Sequence, residues 1–465
     1  MKLTKLSLVA ALLIGSSAFA IENTKVSGDV KLYYGTDHTE SDNSDMFNKD
    51  SSYADTALHL GLTSDLSEGV SAGASLTAVS TLGLENNLVS NTWSNSHGVS
   101  DSTGAAYVEN HQVDDAMWVD EAWIAGTALD TTVKVGRQAI DTPLAFTETW
   151  GVDTNTFDAA VMINQSIPGT TIVGAWVGKS NGSADDEGTL TVNDLDGSAA
   201  GYVAQDGKFN TFAKDGAYAV GIINNSWKPL TVQGWYYDLQ GLAKAYWLQA
   251  DVNFEGILFG AQYANTDLDN VGSLVSVLGG PANLPLGTTT DKANDTSMYS
   301  VMLGYEMKDI MTLKAAFSSV SDDGTLGMAN TATGDAATVN GQSKMYTEMW
   351  WNYGAVSAVG ADSYSVTAEA TVGPDINLLL GYYFADVDPD EKSTAVLNRT
   401  FVDQEVTEIA FAVSKSFGPL DTSIAVIYDD VDYDDNTIHH QGTPQAYSST
   451  DVETTNVQIY LTYNF

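Results

Sequence analysis

The last ten residues, NVQIYLTYNF, alternate. Val457, Ile459, Leu461 and Tyr463 form an apolar set, and Asn456, Gln458, Tyr460, Thr462 and Asn464 a more polar one. A period of two marks a strand with one oily and one wet face. The pattern recurs along the chain. Residues 26–36 place Val26, Val30, Leu32 and Tyr34 together, and 53–63 set Leu58, Leu60 and Leu62 against His59. Tyr299, Val301, Leu303 and Tyr305 oppose Met302, Gly304 and Glu306, while Tyr364, Val366, Ala368, Ala370 and Val372 oppose Thr367, Glu369 and Thr371. Ile409, Phe411, Val413 and Phe417 oppose Glu408, Ala410, Ala412 and Ser414, and Ile424, Val426 and Tyr428 oppose Ser423 and Asp429.

The connections follow a second rule. Tight turns fall at Asp65–Gly69, Leu129–Thr131, Ser166–Thr170, Trp227–Leu230, Phe254–Ile257, Met307–Met311, Gly373–Ile376 and Phe417–Asp421, several with Pro-Gly or Gly-Pro reversals. Between them lie long acidic segments rich in Gly, Ser and Asn, at 37–50, 83–115, 141–157, 180–215, 266–296, 322–362, 388–405 and 433–451, with a short one near 240–243. Eight turns alternating with nine loops imply about eighteen strands, short turns on one rim and long loops on the other. The fold class predicted is all-β: one transmembrane antiparallel barrel over 21–465, with short periplasmic turns and long external loops. No fixed repeat supports a propeller or solenoid, and a soluble sandwich would seldom place its loops so unequally. The oily faces would meet lipid, and the last strand would pair with the first so that no edge stays open.

Residues 1–20 read as a secretory signal: Lys2 and Lys5, an apolar run from Leu6 to Ile14, then Ala18-Phe19-Ala20. After it no run of about twenty apolar residues occurs, so no membrane helix is predicted. The signal holds two lysines and no acid, leaving 17 basic against 60 acidic residues, a net of −43. That balance excludes nucleic acid as a partner and suits cations. With no Cys, neither a disulfide framework nor a thiolate metal site is available.

The opening MKLTKLSLVAALL, the ending YLTYNF and the block VDEAWIAGTALDTTVKVGRQAIDTP (119–143) together resemble the major outer-membrane porin (MOMP, Opr-type) family, related in fold to the OprD porins. The resemblance spans the mature length. It implies an eighteen-stranded barrel in the outer membrane, a homotrimer, an inward-folded third external loop, and in some members cation selectivity and calcium binding. The third connection here is DTPLAFTETWGVDTNTF (141–157), whose acids Asp141, Glu148 and Asp153 suit a constriction. The terminal Phe465 matches the general signal to the barrel-assembly machinery, and the first strand begins too soon after residue 20 to leave room for an N-terminal plug.

Charge on the lipid face of a barrel is costly, so alternation predicts which charges turn inward. Asp158, Asp251, Glu306, Glu369, Glu408 and Asp429 oppose apolar neighbours, as do Lys134 and Lys314. Arg137 breaks the rule: alternation with Val133 and Val135 sends it to lipid unless a bulge or the strand end rescues it. Asp120 and Glu121 cannot both face inward without a bulge, and Glu121 is favoured. Acids outnumber bases inside, so the expectation is a passive, water-filled channel for small hydrophilic solutes and ions that prefers cations.

Selective uptake of carboxylates needs a basic track, hard to build with only Arg137 and Arg399 as arginines. Sugar uptake could use Trp93, Trp150, Trp350 and Trp351 near the mouth, although an interfacial aromatic girdle is the plainer reading. A surface adhesin or structural role competes through the long loops. Of six His, only His59 lies in a clear strand and no Ser–His pairing is legible, so no enzyme is predicted. No cofactor is required. Asp386, Asp388 and Asp390, with Asp430 and Asp432, are oxygen-rich clusters that would suit Ca2+ or Mg2+. They lack the EF-hand spacing and serve equally as solvated loops or as bridges to lipopolysaccharide and outer-membrane lipid.

Overall fold

The computed structural model describes residues 22–39, 45–90, 92–94, 96, 115–182, 203, 205–212, 216–268, 294–333, 341–373, 375–389, 403–433, 437–440, 443–446 and 451–465. Residues 1–20, read above as a signal, lie outside these, as do Asp390 and Arg399.

Eighteen strands form the wall. They are β1 (Glu22–Thr39), β2 (Ser52–Ser67), β3 (Val70–Ser80), β4 (Ala116–Ala128), β5 (Thr131–Gln138), β6 (Phe157–Ile167), β7 (Thr170–Ser180), β8 (Ala217–Asn224) and β9 (Leu230–Leu239). Then follow β10 (Ala243–Phe254), β11 (Ile257–Leu268), β12 (Thr296–Met307), β13 (Met311–Val320), β14 (Ala361–Val372), β15 (Ile376–Val387), β16 (Gln404–Phe417), β17 (Leu420–Tyr433) and β18 (Val452–Asn464). Each pairs antiparallel with the next, and β18 closes on β1 with Leu32 opposite Leu461 and Tyr33 opposite Tyr460. A two-residue strand, Asn210–Thr211, adds to the loop-side end of β7. All eight predicted turns join neighbours on one rim. They use residues that tolerate positive φ, such as Gly69, Gly169, Gly256 and Gly418.

The faces follow the alternation. Val301, Leu303, Tyr305, Val366, Leu380, Phe411 and Ile424 are exposed outward, while Ser300, Ser318, Ser363, Ser365 and Glu408 turn inward and are buried. Tyr246, Tyr263, Tyr299, Phe317, Tyr364 and Phe384 form an outer aromatic series, with Phe317 and Tyr364 ring centroids 4.8 Å apart. Leu303, 62 % exposed on mid-strand β12, gives a direct test of the outer face. Leu303→Arg is expected to cost about 2–4 kcal/mol in urea unfolding from lipid vesicles. Met302→Arg, one residue away and facing inward, should cost far less.

The inside is filled. Leu144, Trp235, Tyr237, Trp247, Met298, Met328, Met345, Met349 and Val356 pack into one apolar cluster. Several of these come from loops, so connections fold back into the barrel.

Candidate functional site: a lumen crossed by two loops

Loop seven (321–360) crosses the lumen, held by side chains of many wall strands. Tyr346 donates its hydroxyl to Asp251 Oδ1 of β10 at 2.5 Å. Its ring lies where a Cβ on Gly260 would sit, 2.4 Å from the ring carbon, so β11 needs glycine there. Gln262 of β11 donates to the Lys344 carbonyl at 2.8 Å, and Ser318 of β13 meets Thr347 at 2.5 Å. Glu408 of β16 accepts the amides of Trp350, Trp351 and Asn352. Asn352 reaches Asp429 of β17 at 2.7 Å and Trp350 donates to Gln458 of β18 at 3.0 Å.

Loop three (139–156) runs inside as well. Leu144 packs among Tyr237, Trp247 and Met328, Lys31 of β1 reaches the Gly151 carbonyl at 3.4 Å, and Thr156 donates to the Asp120 carbonyl at 2.8 Å. The two loops meet at Asn330, which is fully buried. Its Oδ1 accepts the Phe146 and Ala332 amides at 3.1 and 3.2 Å; its Nδ2 donates to the Phe146 carbonyl at 2.9 Å and to Glu148 Oε1 at 3.0 Å. Glu148 also accepts Trp150 Nε1 at 2.9 Å and the Thr333 hydroxyl. Lys344 and Asp141 pair across the loops at 2.9 Å.

Burial raises the Glu148 carboxyl, against bonds from Thr333, Trp150 and Asn330 that lower it. Burial also raises the Glu348 carboxyl well above the ordinary range, despite bonds from Ser343, and Glu148 and Glu408 add to the rise. Glu148 and Asn330 are both buried where the loops join.

A third contributor is Trp93 of loop two (81–115), almost wholly buried. Its ring lies 3.9 Å from Tyr33, stacks on Tyr53 at 5.7 Å, and meets Trp150 at 5.1 Å and Trp351 at 5.4 Å. Asp153 of loop three, also fully buried, accepts the hydroxyls of Ser94 and Ser96 at 2.8 Å. On the turn side of loop seven a cavity of about 650 Å3 remains, lined by Glu306, Glu369, Asn377, Ser414 and Ser423 and bordered by Trp350.

A closed eighteen-strand barrel is also the form of several solved structures. OccK1 (OpdK) of Pseudomonas aeruginosa shares 11 % identity over 96 % of this chain and 100 % of that one, with a TM-score of 0.64. OccK3 (OpdO) of the same organism shares 10 % over 96 % of both chains, TM-score 0.60. A structure described as the outer membrane protein opdK from Pseudomonas aeruginosa shares 10 %, covering 95 % of this chain and 99 % of that one, TM-score 0.61. The chain has an OprD-type porin fold. No protein-family model matches the sequence, and no curated protein matches it significantly.

Within this OprD-type barrel the residues singled out by sequence fall into three groups. Asp251, Glu306, Lys314, Glu369, Glu408 and Asp429 share the inner face, where Lys314 pairs with Glu369 at 2.9 Å and Asn253 donates to Glu306 at 3.1 Å. Lys134 also turns inward, 4.3 Å over the Trp123 ring. Asp141, Glu148 and Asp153 lie on loop three.

The third group departs from expectation. Asp158 does not face the lumen. It sits opposite Arg137, on the same face as Val133, Val135, Ala160 and Met162, while buried Phe157 and Ala159 point inward. Its neighbours Phe157 and Ala159 are apolar because they pack in a cluster inside the barrel, not because they face lipid, so apolar neighbours here mark the inner face. Arg137 itself remains on the outer face at the loop-side end of β5. Asp158 neutralises it at 2.9 Å, the Val119 carbonyl accepts its NH1 at 2.7 Å, and Phe209 lies under it at 3.4 Å. Asp120 and Glu121 both turn inward, because a bulge opposite Ser75 and Leu76 inserts Asp120 as an extra residue. Glu121 accepts Trp123 Nε1 at 2.9 Å.

Trp93, Trp150, Trp350 and Trp351 do not belong to the outer girdle: they lie within the lumen, on three loops. Asn330, Tyr346 and Gln458 carry no charge or motif and were not legible as site residues.

The acids considered for divalent ions do not converge. Asp386 of β15, Glu405 of β16 and Asp432 of β17 stand opposite one another in register, a row along the outer face. Asp430 stands opposite Glu453, and Asp388 lies just beyond β15. Among the described residues no group of three such side chains could hold a metal ion, so the residues do not fit a dedicated Ca2+ or Mg2+ site.

Proposed function

We propose that this chain is an outer-membrane porin: a passive, water-filled channel for small hydrophilic solutes and ions, preferring cations. The observation that carries the reading is the barrel's interior. Two loops narrow it without a covalent tether, and its inner-face charges are mainly carboxylates, among them Glu121, Asp251, Glu306 and Glu369. Of the inward lysines, Lys31 is engaged by a carbonyl, Lys134 by Trp123 and Lys314 by Glu369, so among the described residues these do not make a continuous basic track for carboxylate uptake. A narrow passage lined with one sign of charge concentrates the opposite ion. In a planar bilayer under a KCl gradient the reversal potential should carry the sign of K+ permeation, and an anion-favouring sign would overturn the preference.

The remaining parts of the reading follow from the resemblance and the fold type. They are export by a cleaved signal, insertion by the barrel-assembly machinery, a homotrimer in the outer membrane, and a lipopolysaccharide contact at the exposed acid row, bridged by loosely held Ca2+ or Mg2+. Apparent mass in detergent gels before and after heating tests the trimer.

A further inference from the structure

Glu408 is a wall residue of β16, fully buried, with both carboxylate oxygens turned to loop seven. Oε1 accepts the Trp350 amide at 2.6 Å; Oε2 accepts the amides of Trp351 at 2.9 Å and Asn352 at 2.8 Å. Three successive loop amides therefore converge on one wall anion, an arrangement that binds negative charge strongly. Directly opposite on β17 stands Asp429, 3 % exposed, whose Oδ1 accepts the Asn352 side chain at 2.7 Å. Like charges side by side and out of water disfavour double ionisation, and the three amides place the charge on Glu408.

The other titratable groups acting on this pair are Glu348 of loop seven, Tyr383 of β15 and Asp37 of β1, with Glu148, Tyr353 and Glu369 one step further out, beside Glu348 and Tyr383. Lys344 acts on Glu148. None of the ion pairs found among the described residues involves Glu408 or Asp429. The anion is thus held by loop amides rather than by a neighbouring cation.

We propose that Glu408 is the positioning residue of the constriction: its carboxylate holds amides 350–352 against the wall and keeps loop seven across the lumen. The inference rests on the porin reading for its channel readout and on geometry alone for the docking of the loop.

The test compares wild type, Glu408→Gln, Glu408→Asp and Asp430→Asn, the last an outward acid of the neighbouring strand, each judged folded by heat-modifiable gel mobility. Single-channel conductance of Glu408→Gln at pH 7 should rise about twofold as the loop leaves the passage, while Asp430→Asn stays at the wild-type level. Trypsin cleavage after Lys344, which needs no conduction, should be about tenfold faster in Glu408→Gln, reporting local opening, and Glu408→Asp, which keeps an anion there, should restore much of the protection. Should Glu408→Gln not fold, Asn352→Pro removes one amide and the Asp429 contact and should shift both readouts in the same direction. Unchanged cleavage and conductance in Glu408→Gln, or equal gains in Asp430→Asn, would overturn the proposal. A non-conducting wild type whose Lys344 becomes cleavable only in Glu408→Gln would overturn the porin reading and sustain the latch.

Discussion

Asn330→Leu should separate loop three from loop seven and widen the passage, at a cost of about 3–5 kcal/mol to the docked loops. The side chain fills both ends of its amide with partners, at 3.1, 3.2, 2.9 and 3.0 Å. Leucine matches its size yet strands the Phe146 and Ala332 amides, and leaves the Phe146 carbonyl with Asn155 alone and Glu148 Oε1 with Thr333 alone. Unpaired buried groups cost about 1–3 kcal/mol each, more when charged, and each 1.4 kcal/mol shifts a docking equilibrium about tenfold. The wall supplies none of these bonds, so the barrel should keep its heat-modifiable mobility. Conductance should rise, and protease cleavage within 139–156 and 341–352 should accelerate. An unaltered conductance would show that the junction does not set the aperture.

Trp93→Ala should be the most disruptive single change in the described part of loop two, by about 3–5 kcal/mol for a buried aromatic removed to a methyl. The ring touches the wall through Tyr33 and Tyr53, loop three through Trp150 and loop seven through Trp351. Its loss should loosen three loops together, read as a lowered first transition on heating and a weakened near-ultraviolet dichroism. Trp93→Phe should retain much of both, because most of the contact is stacking; Trp93 Nε1 has no hydrogen-bond partner to lose. Equal behaviour of the two variants would argue against a packing role.

The wall was legible in the sequence because lipid enforces alternation more strictly than a protein core does. From Tyr299 to Tyr305 each outward residue is apolar, and each turn bears its Gly, Pro, Asn or Asp. Legibility failed where the backbone leaves the period of two. The bulge at Asp120 changes facing without any sequence signature, and at Asp158 the apolar neighbours turn out to pack inside. It also failed for the lumen. The weight of the constriction falls as much on residues 341–352 as on 141–157, and the former stretch, QSKMYTEMWWNY from Gln342 to Tyr353, reads as a loop with no charge excess. Its placement depends on wall positions 58 to 108 residues away, such as Asp251, Gly260, Glu408 and Gln458. Within it only the Trp350-Trp351 pair stood out in the sequence.

The bonds joining Glu148 to Asn330 and Thr333 span 182 and 185 positions of chain, and loop seven is anchored on strands that follow it in sequence. Such distant contacts gain stability only after the intervening chain has been brought into place. Loop seven's bonds to Glu408 and Gln458 can form only once β16 and β18 are in place, so its docking, and the narrowing of the bore with it, is expected to follow the assembly of those strands.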